Sequence, residues 1–263
     1  MLNYIGVFLT FKCRLGCEYC INRFGGLKAR QELAPSEWME VLKGVQTRED
    51  LPITLQGGEP TEYVGFYDLV MRLHQKGHRI DLLTNGAFDL DEFLANTTPE
   101  MFKRKAPYAS IRFSFHKNTD EFCLTTKAHI LQNRGYSVGI WGLGHPDMKK
   151  RNAKVAWQCR EFGLDYREKE YLDEKHGTYK YPDAITGLKK IMVRCYPSEM
   201  LFAPNGEQYP CHHFLYRGDD SSALCLNDYV MCSHYGLCNP CDIKLKTNRL
   251  QESGHCSVRI EKV

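Results

Sequence analysis

The chain of 263 residues is 43% hydrophobic, which is enough to form one sizeable core and a smaller appended module. Its 35 lysines and arginines nearly balance 32 aspartates and glutamates, and this formal net charge of +3 does not favour a nucleic-acid partner. The N-terminal apolar run stops at Lys12 without a preceding basic segment, so we expect neither a signal peptide nor a membrane span, and we predict a cytoplasmic protein.

Short apolar segments alternate with helical patterns from residue 4 to residue 170, which is typical of βαβ units around a parallel sheet. Five predicted strands begin at Tyr4, Pro52, Ile80, Ser110 and Val138, and a weaker sixth lies near Asp165. The predicted helices cover residues 35–47, 64–76, 90–95, 119–134 and 147–162. The pattern therefore predicts an α/β fold with a parallel sheet.

After residue 171 the alternation gives way to a polar connector, HGTYKYPDAITG, and seven of the 12 cysteines follow between Cys195 and Cys256. A cytoplasmic protein keeps its thiols reduced, so clustered cysteines favour metal or iron–sulfur ligation over disulfide bonds. We predict a core domain at residues 1–175 and a small cysteine-rich C-terminal extension at residues 185–263.

Three cysteines, Cys13, Cys17 and Cys20, follow the first predicted strand in the segment CRLGCEYC. A cubane iron–sulfur cluster has four irons, so three thiolates leave one iron open for a small molecule, whereas four usually close an electron-transfer cluster. With Tyr19 before the last cysteine, the spacing resembles the CxxxCxΦC motif of the radical S-adenosylmethionine (SAM) superfamily, where Φ is aromatic. A zinc site or three unrelated thiols are the alternatives.

This resemblance implies a partial (β/α)6 barrel of parallel strands that holds a [4Fe–4S] cluster on the triad and SAM as its cofactor. Tyr19 is then one of the expected cofactor-binding positions. The carboxyl ends of parallel strands are also where open α/β sheets bind ligands. The motif and the predicted fold therefore point to the same edge of the sheet.

Two further segments at strand ends resemble motifs of the same family. Gly57, Gly58 and Glu59 belong to GGEP after the second strand, and family members use a GGE segment to hold the methionine amino group of SAM. Glycine allows close approach of a ligand to the backbone, although GGEP is also compatible with an ordinary strand-to-helix turn. Thr84 and Asn85 end the third strand and are expected to bind the cofactor as well.

The fourth and fifth strands carry weaker matches. Ser114 lies where the family often contacts the ribose or carboxylate of SAM. His116 is two residues further on, so we expect it to share the face of Ser114 and to contact cofactor or substrate. A histidine that only packs in the interior is an equally good alternative. Ile140 lies in GIWGLGHP, which resembles the GxIxGxxE segment along the adenine, although His145 replaces the glutamate.

The later cysteines resemble the twitch or SPASM extension of the family. Cys195, Gly206 and Cys211 are followed by the CNPC pair, Cys238 and Cys241, and the resemblance implies that these four cysteines bind an auxiliary [4Fe–4S] cluster. The other C-terminal cysteines do not fit the SPASM spacing, which favours the single-cluster twitch form: Cys225, Cys232 and Cys256.

Two alternatives remain open for this region. A structural zinc site is the main one, because CNPC is a good metal knuckle. Cys232 either replaces one of the four presumed ligands or is a small buried hydrophobe.

The resemblance implies an enzyme that reductively cleaves SAM to a 5′-deoxyadenosyl radical, which abstracts a hydrogen atom from a substrate. An auxiliary cluster would accept an electron from the product radical, so we favour an oxidoreductase acting on a small polar molecule. A peptide maturase that forms cross-links is the alternative, and a non-enzymatic zinc-binding adaptor is the reading from a different class. Flavodoxin or ferredoxin is the expected reductant, and no catalytic side chain is assigned beyond the cluster and cofactor.

Overall fold

The computed structural model describes residues 2, 4–18, 20, 31–170, 191–217, 229–235 and 259–263. Its main sheet contains six parallel strands that neighbour one another in chain order. These are β1 (Tyr4–Thr10), β2 (Ile53–Gly57), β3 (Ile80–Thr84), β4 (Ile111–Phe115), β5 (Val138–Gly144) and β6 (Asp165–Glu170). β6 forms one edge of the sheet and does not pair with β1, so the barrel is partial, and the predicted fold class is confirmed.

One α-helix separates each consecutive pair of these strands. The helices are α1 (Pro35–Val41), α2 (Phe66–Gln75), α3 (Leu90–Asn96), α4 (Glu121–Asn133) and α5 (Lys149–Glu161). Each overlaps its predicted range, but α1 ends six residues before the predicted 47, ahead of Gly44, a residue type that disfavours helix. Across the described ranges, no helix is both long enough and apolar enough to cross a membrane.

The two faces of the main sheet have different compositions because alternate strand residues point to opposite sides. The outer face packs against the helices in one apolar core, which includes Ile5, Val7, Ile53, Leu55, Leu82, Ile111, Phe113 and Ile140 from strands and Trp38, Phe66, Phe93, Leu124 and Val155 from helices. We call the opposite side the inner face. It carries polar residues such as Thr54, Asp81, Arg112 and Ser114.

The C-terminal residues extend the same sheet and add a second one. β8 (Glu199–Phe202) pairs parallel with β1, and β9 (Gln208–Tyr209) pairs antiparallel with β8. A separate antiparallel sheet consists of β10 (Val230–Tyr235), β7 (Ile191–Tyr196) and β11 (Arg259–Lys262). The predicted domain boundary falls among residues 171–190, outside the described residues, and stays a prediction.

A buried ionic cluster lies near the amino ends of the strands on the inner face. Asp81 is fully buried and accepts hydrogen bonds from Arg112 Nη1 at 2.7 Å and from Arg104 Nη2 at 2.7 Å. The Arg104 and Arg112 guanidiniums lie 4.5 and 4.9 Å from the ring centroid of Tyr108. One carboxylate is therefore the shared ion-pair partner of two cations in the interior.

Asp81→Asn should destabilise the protein strongly, because two buried guanidiniums would lose their shared counter-charge. We expect the free energy of unfolding in urea to fall by about 3–5 kcal/mol. Asp68→Asn is the matched control, since Asp68 pairs with Arg72 on the exposed surface of α2 and its loss should cost less than about 0.5 kcal/mol. Equal effects of the two substitutions would contradict this account.

Candidate functional site

The cysteine loop follows β1 at the edge where the parallel strands end. Cys17 is buried, and Cys13 and Cys20 are half-buried. Gly16 adopts a φ of 56°, in the left-handed region that glycine tolerates, and the Cys20 N–H donates to the Cys17 carbonyl at 3.1 Å. Tyr19 lies outside the described residues, so its predicted contact with the cofactor stays a prediction.

Residues that follow β2 hold the first half of this loop. The Glu59 N–H donates to the Lys12 carbonyl at 2.7 Å. The Glu62 carboxylate accepts hydrogen bonds from both the backbone N–H and the side-chain Nε of Arg14, each at 3.1 Å. The cysteine loop is therefore tied to the strand beside it, and the sequence analysis did not identify Glu62 as part of this site.

Residues that follow β3 and β4 hold the loop from the other side. The side-chain amide of Asn85 donates to Cys13 Sγ at 3.4 Å. The side-chain amide of Asn118 donates to the Leu15 carbonyl at 3.2 Å. Asn118 is 103 residues away from Leu15 in the chain, which explains why no local sequence pattern pointed to it.

Gly57 and Gly58 are required by the close approach of two backbones. A Cβ atom on Gly57 would lie 2.2 Å from the Thr10 carbonyl oxygen, and one on Gly58 would lie 2.1 Å from the Lys12 carbonyl oxygen. The Gly58 N–H instead donates to the Thr10 carbonyl at 2.8 Å, and Gly57 has a φ of 140°. The two glycines thus let the exits of β1 and β2 pack directly against each other.

The carboxylate of Glu59 is fully buried and connects β2 to β3. One oxygen accepts hydrogen bonds from Thr61 N at 3.2 Å, Thr61 Oγ1 at 2.7 Å and Thr84 Oγ1 at 2.7 Å, and the other accepts from Asn85 N at 2.6 Å. Burial raises the pKa of this carboxyl, and the hydrogen bonds oppose the rise. Glu59 and Thr84 therefore shape the site through a shared network, and their predicted contacts with SAM stay predictions.

Ser114 lies on the inner face near the carboxyl end of β4, which ends at Phe115, so the predicted shared face of Ser114 and His116 and their contacts with the cofactor stay predictions. His116 follows the strand directly, and desolvation by burial, followed by the charge of Lys169, lowers its pKa to about 4. Its imidazole is therefore neutral at physiological pH. The Ile140 side chain, in contrast, is buried in the apolar core on the outer face, so its predicted cofactor contact involves backbone alone and stays a prediction.

Two of the predicted auxiliary ligands are buried, and one unassigned cysteine joins them. Cys195 on β7 forms a small buried cluster with Val193 and with Cys232 on the adjacent antiparallel β10. Cys211 is also buried and directly precedes α6 (His212–Arg217). The tertiary structure thus brings Cys232 close to Cys195, which sequence spacing alone left open.

The other C-terminal cysteines fall among residues that the structure does not describe. They are Cys225, Cys238, Cys241 and Cys256. The assignment of the CNPC pair to an auxiliary cluster therefore stays a prediction.

The helix α6 covers β1 on the inner face, beside the cysteine loop. The rings of Phe8 and Tyr216 meet edge-on with centroids 6.0 Å apart. Burial raises the pKa of Tyr216 well above its ordinary value, and the Cys20 thiolate raises it further. His212 is buried beside them, and its Nδ1 lies 3.1 Å from the Glu199 carboxylate. Tyr216 is more than 190 positions away from Phe8 and Cys20, so no local sequence pattern pointed to these contacts.

The cysteine triad is not arranged as a site for one metal ion. Among the residues whose positions the structure gives, no three histidine, cysteine, aspartate or glutamate side chains gather around a single-ion position. In a cubane cluster each thiolate binds a different iron, so its ligands need not converge in that way.

Comparison with known proteins agrees with this geometry. Residues 7–115, which span β1 to β4, match the family model of the radical SAM superfamily. Streptococcus suis SuiB resembles the chain at 15% identity with a TM-score of 0.60, over 95% of this chain and 68% of that one. Native anSMEcpe with bound AdoMet and Kp18Cys peptide matches at 17% identity with a TM-score of 0.53, over 80% of this chain and 74% of that one.

A third structure, Streptococcus suis SuiB bound to the precursor peptide SuiA, matches at 12% identity with a TM-score of 0.57. It is covered over 64% of its own length, and this chain over 92%. At such identities these likenesses establish the fold.

The fold and the site define an α/β enzyme that carries a three-cysteine loop at the carboxyl edge of an open parallel sheet. The family match assigns residues 7–115, the part from β1 to β4, to the radical SAM superfamily. Such proteins use a [4Fe–4S] cluster and SAM, and the residues present fit this pair. Three thiols suit a cluster with one open iron, and the Asn85 amide donates to one of the sulfurs.

Gly58→Ala should disturb the site because the new Cβ would overlap the Lys12 carbonyl. We expect unfolding in urea to require about 1–3 kcal/mol less free energy than in wild type. Gly44→Ala is the control, since nothing lies within 4 Å of a Cβ there, and its effect should not exceed about 1 kcal/mol. A Gly58 variant as stable as the Gly44 variant would refute the packing argument.

Glu59→Gln tests the buried network without changing side-chain size. The amide NH₂ would face hydrogen-bond donors in place of an acceptor, so the free energy of unfolding should fall by about 1–3 kcal/mol. Glu161→Gln on the exposed end of α5 should change it by less than about 0.5 kcal/mol. Urea titrations of both variants provide the measurement, and an unchanged Glu59 variant would show that the network is not stabilising.

Proposed function

We propose that this protein is a radical SAM oxidoreductase that activates a substrate C–H bond and uses an auxiliary cluster in its C-terminal extension. The observation that carries the proposal is the attachment of the cysteine loop to the exits of β2, β3 and β4. When bound, the reduced cluster would supply one electron to the sulfonium of SAM, whose C–S bond would break to give methionine and a 5′-deoxyadenosyl radical. A loop held from three sides fixes where that radical forms.

The chain's own residues would position and shield this chemistry. Cys13, Cys17 and Cys20 would hold the cluster, and the Asn85 amide hydrogen bond to Cys13 would stabilise negative charge on that sulfur. Burial raises the pKa of the Cys13 thiol, so deprotonation would accompany binding of iron. Precise placement matters because misdirected radicals consume cofactor without reaching the substrate.

The C-terminal extension supports the proposed oxidative outcome. β8 pairs with β1, and α6 brings Tyr216 near Cys20, so the extension packs beside the cysteine loop. An auxiliary cluster on Cys195, Cys211, Cys238 and Cys241 would be available to accept an electron from a product radical. Cys195 and Cys232 share a buried cluster, so Cys232 would be the substitute ligand if one of the four is not used.

Two substrate classes remain in the proposal. A small polar molecule is the first candidate, and the polar inner face of the sheet supports it. A peptide is the second, and it is favoured by the resemblance to SuiB bound to the precursor peptide SuiA and to anSMEcpe bound to a peptide. A non-enzymatic zinc-binding adaptor is the alternative from a different class, and the reconstitution experiment described next would detect it.

Anaerobic reconstitution with iron and sulfide should give about two [4Fe–4S] clusters per chain. Addition of SAM and a strong reductant should then release 5′-deoxyadenosine, which chromatography measures. A protein that takes up zinc in place of iron, or that forms no nucleoside with intact clusters, would refute the proposal.

Three cysteine variants separate the two clusters. Cys17→Ala should abolish 5′-deoxyadenosine formation, whereas Cys195→Ala should remove the auxiliary cluster and leave cleavage measurable. Cys159→Ala is the control, because Cys159 is equally buried but lies within α5 in the apolar core. Iron content and Mössbauer spectra distinguish these outcomes, and equal iron in all three variants would contradict the assignment.

A further inference from the structure

Three cationic side chains occupy the inner face of β4 and β6. Ser114 on β4 pairs with Trp141, which pairs with Arg167, and Leu143 pairs with Lys169. Strand alternation therefore places Arg112, Arg167 and Lys169 on this face. The Arg112 and Arg167 guanidiniums lie 5.8 and 5.5 Å from the Trp141 ring centroid, which confirms the shared orientation of the two arginines.

Each of the two arginines forms an ion pair with a carboxylate. Arg112 Nη1 lies 2.7 Å from Asp81, and Arg167 Nε lies 3.1 Å from Asp165. Lys169 differs: within the described ranges, its ammonium forms no ion pair or hydrogen bond. Burial, and then the charge of Arg112, lowers its pKa to about 8. No carboxylate among the described residues balances this cation.

Lys169 also lies at the functional edge of the sheet. It is the penultimate residue of β6, and the carboxyl ends of β1 to β3 carry the cysteine loop, Glu59 and Asn85 at the same edge. Its charge lowers the pKa of His116, which follows β4, so the two side chains are neighbours. A cation without a partner among the described residues therefore lies near a neutral imidazole, at the edge where open parallel sheets bind ligands.

We propose that Lys169 binds an oxyanion of the substrate, a carboxylate or a phosphate group, and so selects an acidic substrate; this inference rests on the proposed function. A partly buried cation without a partner is unfavourable until an anion restores its electrostatic balance. A charge-assisted hydrogen bond would then fix one end of the substrate, and His116 is placed to contact the same group. The carboxylate of SAM is the competing source of the same chemistry.

The experiment titrates anions into the reconstituted, SAM-saturated protein by anaerobic calorimetry. The probes are acetate, succinate and inorganic phosphate. Lys169→Met removes the charge and keeps the aliphatic stem, Lys169→Arg keeps the charge, and Lys150→Met changes an exposed lysine on α5. The affinity of each variant for SAM is measured separately, and thermal unfolding verifies that each variant is folded.

We expect wild type to bind at least one probe at a single site and Lys169→Met to weaken that binding by about tenfold or more. Lys169→Arg should retain it, Lys150→Met should match wild type, and all should bind SAM equally. Absence of saturable anion binding to wild type, or equal binding by Lys169→Met, would overturn the proposal. If Lys169→Met does not fold, Lys169→Gln takes its place.

A loss of SAM affinity in Lys169→Met with unchanged anion binding would overturn the proposal in a different way, by showing that the lysine binds the cofactor's carboxylate. The titration needs no turnover. Failure of wild type to form 5′-deoxyadenosine would therefore refute the proposed function separately from this inference.

Discussion

The buried carboxylate of Glu59 is the interaction on which the geometry of the site depends. Its oxygens bind Thr61, Thr84 and Asn85, while its backbone N–H binds the Lys12 carbonyl at the start of the cysteine loop. A charge removed from water is tolerated only when hydrogen bonds replace its hydration. The exits of β1, β2 and β3 must therefore stay together, because separating them would leave this carboxylate unsatisfied.

The two faces of the sheet have different roles: the outer face stabilises the fold, and the inner face borders the candidate site. The outer face is a continuous apolar core against the helices, which holds the strands in register. The inner face carries charges, and these are balanced unevenly along the strands. Asp81 forms ion pairs with two arginines near the amino ends of the strands. Lys169, near the carboxyl ends, has no such partner among the described residues. The unbalanced charge lies at the edge that also carries the cysteine loop.

The C-terminal extension is connected to this site by backbone pairing. β8 continues the main sheet beside β1, and α6 packs its Tyr216 ring against Phe8 on the inner face. Since β-sheet hydrogen bonds fix neighbouring strands about 4.8 Å apart, residues of the extension are held close to the cysteine loop.

The sequence by itself determined the order of strands and helices and the residue types at each strand end, because both follow from local periodicity and short motifs. It also predicted the triad, the two glycines and Glu59 at one edge of the sheet, and these residues lie at or directly after the ends of β1 and β2. Only the tertiary structure revealed that Asn118 binds the Leu15 carbonyl, that Cys232 and Cys195 share a buried cluster, and that Lys169 has no ion-pair partner among the described residues. These relations join residues distant in the chain, and they depend on strand register and side-chain packing, which no local pattern encodes.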